Sequence, residues 1–182
     1  MLTESQRSAL LDLARTSIVA QVTGRREPLD LDRELPDSSG AFVTIKRRGE
    51  LRGCLGTLQC RRGLAGEVAR CAADAASEYP RFPPVSPDEI PELSVEVSVL
   101  GPLEKIDPRD SCAIVVGQHG LVAEQDFRRG LLLPQVATEW GWTAEQFLRH
   151  TCIKAGLRGD AWQHGATIYR FEAEVFGDEP VD

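Results

Sequence analysis

The fold class is decided by one stretch, AFVTIKRRGELRGCLGTL, which spans residues 41–58. Residues 41–46 alternate between apolar and polar side chains with a period of two, which predicts a half-buried β-strand. Residues 48–50 have the glycine and charged side chains of a turn, and residues 51–58 return as a second strand that contains Gly53 and Gly56. The stretch therefore predicts a β-hairpin.

Helical spacing of apolar side chains flanks this hairpin. A capping box at residues 3–6 predicts an amphipathic helix over residues 1–21. Residues 64–75 also have helical spacing. A second capping box at residues 143–146 predicts another helix, and Pro134 is placed to start one more.

Other segments have the patterns of strands and turns. Strands are predicted at residues 93–103, 113–116, 120–123, 130–133 and 166–176. Residues 117–119 would form the turn of a second hairpin. Hairpins that alternate with helices, without a βαβαβ order, favour an α+β fold.

The length of 182 residues favours one domain, which we assign to residues 1–177, with a flexible acidic tail at 178–182. We expect three leucines of the connector at residues 25–39 to cover the core, and three tryptophans to fill buried space. These residues are Leu29, Leu31, Leu35, Trp140, Trp142 and Trp162. The prolines of residues 79–85 exclude helix and central strand and predict an ordered loop, either a cover over the core or a lid or partner-binding rim.

The net charge is −7, which argues against general nucleic-acid binding. Residues 41–66, however, contain six Lys and Arg against one acidic residue, Glu50. This basic stretch is either a solvated hairpin or a surface for an anion or an acidic partner.

The five cysteines have no C-x-x-C spacing, and no signal peptide or membrane-length apolar run is recognisable. We therefore expect a cytoplasmic protein with thiols rather than disulfides. Since no tight ligand cluster or phosphate-binding loop occurs in the sequence, we predict neither a metal site nor a cofactor.

Cys54 is the candidate reactive residue of this hairpin. In an unbroken strand Arg52 and Cys54 share a face, and a nearby guanidinium favours the reactive thiolate. His119, between glycines in the predicted turn, is a candidate base for a Cys–His pair. The alternatives are that Cys54 is a small buried hydrophobe, with Gly53 and Gly56 serving close packing, and that His119 is a solvated turn residue.

Residues 51–58 resemble the Leu-Arg-Gly-Cys-Ile-Gly signature of the AMMECR family, whose prokaryotic members include AmmeMemoRadiSam system protein A. Further similar segments are residues 80–84, 95–100, 117–121, 129–137 and 154–157. The resemblance implies an α+β fold in which two similar strand-hairpin and helix halves share one mixed, barrel-like sheet with helices outside. It also implies work with a Memo-type protein and a radical S-adenosylmethionine (radical SAM) protein, and it names no reaction.

Three functions remain open at this point. The first is a component that acts with those partners and has a small-ligand or partner cleft at residues 51–58. The second is a thiol-dependent enzyme that uses Cys54, with His119, on a small anionic or nucleic-acid-derived substrate. The third is a small-molecule sensor. The candidate ligand-binding residues are Arg52, Gly53, Gly56, Thr57, Arg129 and Gln135.

Overall fold

The computed structural model describes residues 2–25, 28–29 and 35–179. The chain folds into two compact units. The first unit contains the chain up to Leu100 and from Glu174 onward, and the second contains Gly101–Ala173. The elements in chain order are α1 Glu4–Thr23, β1 Gly40–Arg47, β2 Glu50–Thr57, α2 Gly63–Ser77, a 3₁₀ helix Pro87–Glu92, β3 Leu93–Leu100, β4 Glu104–Ile106, β5 His119–Gln125, β6 Arg128–Leu132, α3 Pro134–Glu139, α4 Ala144–Lys154, a 3₁₀ helix Ala161–Gln163 and β7 Thr167–Gly177.

The predicted α+β class is confirmed, and each unit contains a hairpin followed by a helix: β1, β2 and α2 in the first, β5, β6 and α3 in the second. The pairs β1–β2, β1–β3, β4–β7, β5–β6 and β5–β7 are all antiparallel, whereas the family resemblance implied a mixed sheet. No described helix has the length and apolar character needed to cross a membrane.

In the first unit β1 lies between β2 and β3, and α1 and α2 pack against this sheet. Ala41, Val43 and Ile45 of β1 are fully buried because the strand alternation turns them toward the helices. Leu29 and Leu35 pack on this core as predicted, while Leu31 lies outside the described residues.

The ends of α1 and of the chain follow local chemistry. The predicted capping box forms, with Thr3 as N-cap and Gln6 reaching back, and Gly24 ends the helix in the left-handed conformation. Asp178 is fixed: its carboxylate accepts from the Val95 N–H at 3.0 Å and pairs with Arg15. The predicted tail is thus anchored at its first residue, and residues 180–182 lie outside the described part of the chain.

In the second unit β5 pairs with both β6 and β7, and α4 packs on β5 and β6. Residues 113–116 form no strand, so the second predicted hairpin is wrong: β5 begins at His119 and pairs with β6 instead. Trp142 and Trp162 pack on the core of this unit, but Trp140 is 70% exposed, contrary to prediction.

Candidate functional site

A β-bulge interrupts the signature strand at Arg52. Ile45 pairs with Gly53 and Lys46 pairs with Leu51, so Arg52 is the extra residue on β2. The bulge breaks the two-residue alternation on which we based the prediction that Arg52 and Cys54 share a face. The direction of Arg52 must therefore be taken from its contacts.

The Arg52 guanidinium is held by the chain between α2 and β3. Its Nε lies 2.8 Å from Glu89 Oε1 and its Nη2 3.0 Å from Glu89 Oε2, which is a bidentate ion pair. It also donates to the backbone carbonyls of Pro83, at 3.0 Å, and Pro84, at 3.4 Å. The Phe82 ring centroid lies 5.5 Å from its central carbon. Arg52 thus fastens β2 to the proline-containing loop.

Glu89 is the partner that makes this arrangement rigid. Besides Arg52 and Arg47, its carboxylate accepts from the backbone N–H of Ser86 at 2.8 Å. The Arg52 hydrogen bonds are the largest cause that lowers the pKa of Glu89 to about 2, with smaller contributions from Ser86. Glu89 was not among the residues predicted from the sequence, although the Ser86-x-x-Glu89 spacing is itself a capping-box signal.

We call residues 79–84 the proline–aromatic loop. Pro80, Arg81, Phe82 and the two following prolines are exposed, and Phe82 keeps 38% of its surface accessible. The Tyr79 and Phe82 ring centroids lie 6.1 Å apart, and the central guanidinium carbon of Arg81 lies 5.9 Å from the Phe82 ring centroid. The loop therefore presents an aromatic and basic surface on a fixed backbone.

Three other cations of the basic stretch are also paired, which weakens the alternative of an open anion-binding hairpin. Lys46 Nζ lies 3.1 Å from Glu96, and Arg47 and Arg48 both bind Glu92. The acidic partners come from the 3₁₀ helix and β3, which lie later in the sequence than the basic stretch. Much of the local charge is thus neutralised within the first unit.

Gly53 and Gly56 serve close packing. A Cβ on Gly53 would lie 2.2 Å from the carbonyl oxygen of Ala75 on α2, and one on Gly56 would lie 2.2 Å from the Phe42 ring. The space beside both glycines is filled by the protein itself. This supports the packing alternative over contact between a ligand and these two residues.

Cys54 is half-buried on β2, opposite Thr44 of β1. The Thr44 hydroxyl donates to the Cys54 sulfur at 3.3 Å. A hydrogen-bond donor on sulfur stabilises the thiolate relative to the thiol, so this contact keeps Cys54 a candidate reactive thiol. The five cysteines form no disulfide in the described part of the chain.

His119 is buried at the start of β5 rather than in a turn, so its predicted location is wrong and the alternative of a solvated ring does not hold. Its Nδ1 accepts the N–H of Val115 at 3.0 Å, which assigns the proton of the neutral ring to Nε2. Burial, and then the charge of Arg170, lower the pKa of His119 below its ordinary value. This tautomer disfavours a general-base role, and the Cys54–His119 pair stays a prediction.

The remaining candidates make local contacts. Thr57 Oγ1 bonds the backbone of Gln59 in a turn, and Arg129 pairs with Glu124 across the β5–β6 hairpin at 3.3 Å. Gln135 lies in the first turn of α3, which has six residues, and its carbonyl accepts from Thr138. Their predicted ligand contacts stay predictions. No group of three or more metal-ligating side chains occurs among residues 2–25, 28–29 and 35–179.

The fold and this site describe a two-unit α+β protein in which the arginine of a glycine-containing hairpin strand fastens an exposed proline–aromatic loop. The AMMECR1 family model matches residues 11–176, and the chain belongs to the AMMECR1 family.

Relatives match over nearly their whole length. A protein of Methanothermobacter thermautotrophicus is 42% identical over 187 residues, which covers 98% of this chain and 97% of that protein. A protein of Thermococcus gammatolerans is 45% identical, with 93% and 89% covered. The crystal structure of the uncharacterized protein PH0010 from Pyrococcus horikoshii matches with a TM-score of 0.88 at 38% identity, covering 98% of this chain and 94% of that one.

Proposed function

We propose that this chain is a protein-binding component that docks a partner through the proline–aromatic loop, residues 79–84. The proposal rests on the contacts of Arg52, which makes a bidentate ion pair with Glu89 and donates hydrogen bonds to the carbonyls of Pro83 and Pro84. The partners that the family resemblance suggests are a Memo-type protein and a radical SAM protein, in the cytoplasm, as parts of an AmmeMemoRadiSam system.

Physical chemistry favours such a loop as an interface. Aromatic and arginine side chains carry a large share of binding energy at protein interfaces, and Phe82 and Arg81 are both exposed here. A loop already held in one conformation loses little entropy when a partner binds. Arg52 and Glu89 supply that preorganisation from beneath the loop.

The test is a titration of the purified chain against a purified Memo-type and a purified radical SAM protein, together and separately, by calorimetry. We expect Phe82→Ala to weaken binding by about tenfold or more, as for an interface hot spot. Phe127→Ala is the matched control, because Phe127 is 92% exposed on the second unit. Absence of binding by the wild-type chain, or equal losses for both variants, contradicts the proposal.

A thiol-dependent reaction at Cys54 is the second candidate, and the Thr44 hydroxyl on its sulfur is the observation that favours it. Its substrate would be a small anionic or nucleic-acid-derived molecule. The rate of Cys54 alkylation against pH, compared in wild type and Thr44→Val, tests it. A reactive thiolate that weakens in Thr44→Val supports the candidate, whereas a titration near the ordinary thiol value of about 8.5 in both chains argues against it.

A further inference from the structure

A cleft in the second unit is lined by none of the residues of the proline–aromatic loop. It has a volume of about 490 Å³ and lies between α4 and the chain segment 158–163. This volume is in the range of small-molecule sites, which run from about 300 to 1,000 Å³. The segment is held by its own backbone, since Ala161 N–H bonds Arg158 and Gln163 N–H bonds Asp160. The cleft therefore has a defined wall.

Arg149 supplies a cation to this cleft. It lies exposed on α4 and makes no hydrogen bond or ion pair with the described residues. Its position depends on Gly159: a Cβ there would lie 2.9 Å from Cγ and 3.3 Å from Nε of Arg149. The glycine thus lets the arginine side chain lie flat along the opposite wall.

Glu145 supplies an anion one helical turn earlier on the same face of α4. It too has no hydrogen-bond or ion-pair partner in the described part of the chain. The other charged pair of the cleft, Arg158 and Asp160, neutralises itself through contacts of 3.1 Å and 3.0 Å. The charges that remain available are one cation and one anion.

Trp162 gives the cleft an aromatic wall, and it packs against the core of the second unit. A planar ring stacks well on such a side chain. The amide side chains of Gln146 and Gln163 also line the cleft and can both donate and accept hydrogen bonds.

We propose that this cleft binds a zwitterion with a planar ring, of the kind represented by an aromatic α-amino acid. The ligand carboxylate pairs with Arg149, its ammonium group pairs with Glu145, and its ring stacks on Trp162.

The experiment is a calorimetric titration of the full chain with three probes that share a ring: phenylalanine, 3-phenylpropionate and phenethylamine. The second lacks the ammonium group and the third lacks the carboxylate. We expect phenylalanine to bind about tenfold more tightly than either, since each charged contact is lost in one of them. Equal binding of all three probes, or no binding of phenylalanine at millimolar concentration, overturns the proposal.

Variants separate a direct contact from a structural effect. Arg149→Gln should weaken the binding of phenylalanine and 3-phenylpropionate by about tenfold and leave that of phenethylamine unchanged. Glu145→Gln should weaken the binding of phenylalanine and phenethylamine by about tenfold and leave that of 3-phenylpropionate unchanged. Gly159→Ala keeps every charge but displaces Arg149, so it should act like Arg149→Gln. The exposed Arg62 of the first unit gives the matched control, Arg62→Gln. Equal weakening of all three probes by a cleft variant, or an effect of the control, overturns the proposal.

Discussion

Replacement of Glu89 by Gln should cost the folded protein about 3 kcal/mol at neutral pH. The folded-state pKa of Glu89 is about 2, against an ordinary value of 4.5, and this difference converts at 1.36 kcal/mol per pH unit to about 3 kcal/mol. The carboxylate is well shielded, since only 12% of its side chain is exposed. Gln keeps the shape of the side chain but removes the charge that pairs with Arg52.

The sign of the pH dependence follows from the lowered pKa. The stabilisation is complete above the unfolded-state value near 4.5 and is lost as the pH falls toward about 2, because in this range the unfolded protein protonates Glu89 while the folded protein does not do so until about 2. Urea unfolding of wild type and Glu89→Gln, repeated between pH 7 and pH 2, measures it. The two free energies of unfolding should differ by about 3 kcal/mol at pH 7 and converge as the pH falls.

The exposed Glu50, on the hairpin that carries Arg52, provides the control, Glu50→Gln, whose unfolding free energy should stay close to wild type throughout. If Glu89→Gln runs parallel to wild type at every pH, the Arg52–Glu89 pair does not contribute as we reason. The same conclusion follows if Glu50→Gln shows an equal pH-dependent loss.

Three further predictions concern the same unit and the thiols. Arg52→Lys keeps the charge but loses the bidentate geometry, so urea unfolding should show a loss of about 1–2 kcal/mol, and a wild-type value would contradict it. Gly53→Ala should lower the unfolding free energy by more than about 2 kcal/mol, because its Cβ meets the backbone oxygen of Ala75 and backbone cannot easily move away; an unchanged value would show that the strand adjusts. Alkylation followed by mass spectrometry should label exposed Cys112 in the native protein but buried Cys71, whose pKa burial raises to about 11, only on unfolding; native labelling of both at similar rates would be inconsistent with this core.

Local sequence signals predicted the elements that depend on neighbouring residues. The capping boxes at Thr3 and Thr143 and the alternation in β1 were sufficient, because each is decided within a few residues. Residues 113–116 show the limit of this reasoning. Their apolar run suits a strand, but the chain instead places the Val115 N–H on the buried His119 ring, and β5 finds its partners in β6 and β7.

The position of the site could be predicted from the sequence, but the contacts of its side chains could not. The glycines and arginine of the signature strand indicated where close contacts would occur, yet the ion pair joins Arg52 to Glu89, which lies 37 positions later in the sequence. No short-range pattern connects them. The pairing of Lys46 with Glu96 is equally remote in sequence, which is why the basic stretch had the appearance of an open surface.

Arg52 of the signature strand supports the proline–aromatic loop. Hydrogen exchange at the amides of Val85 and Ser86 measures this support, since these N–H groups donate to the Ala76 carbonyl and the Glu89 carboxylate just after the loop. We predict that Arg52→Lys makes both amides exchange faster while Cys54→Ser leaves them at the wild-type rate. Unchanged exchange in Arg52→Lys, or an equal increase in Cys54→Ser, would contradict the claim.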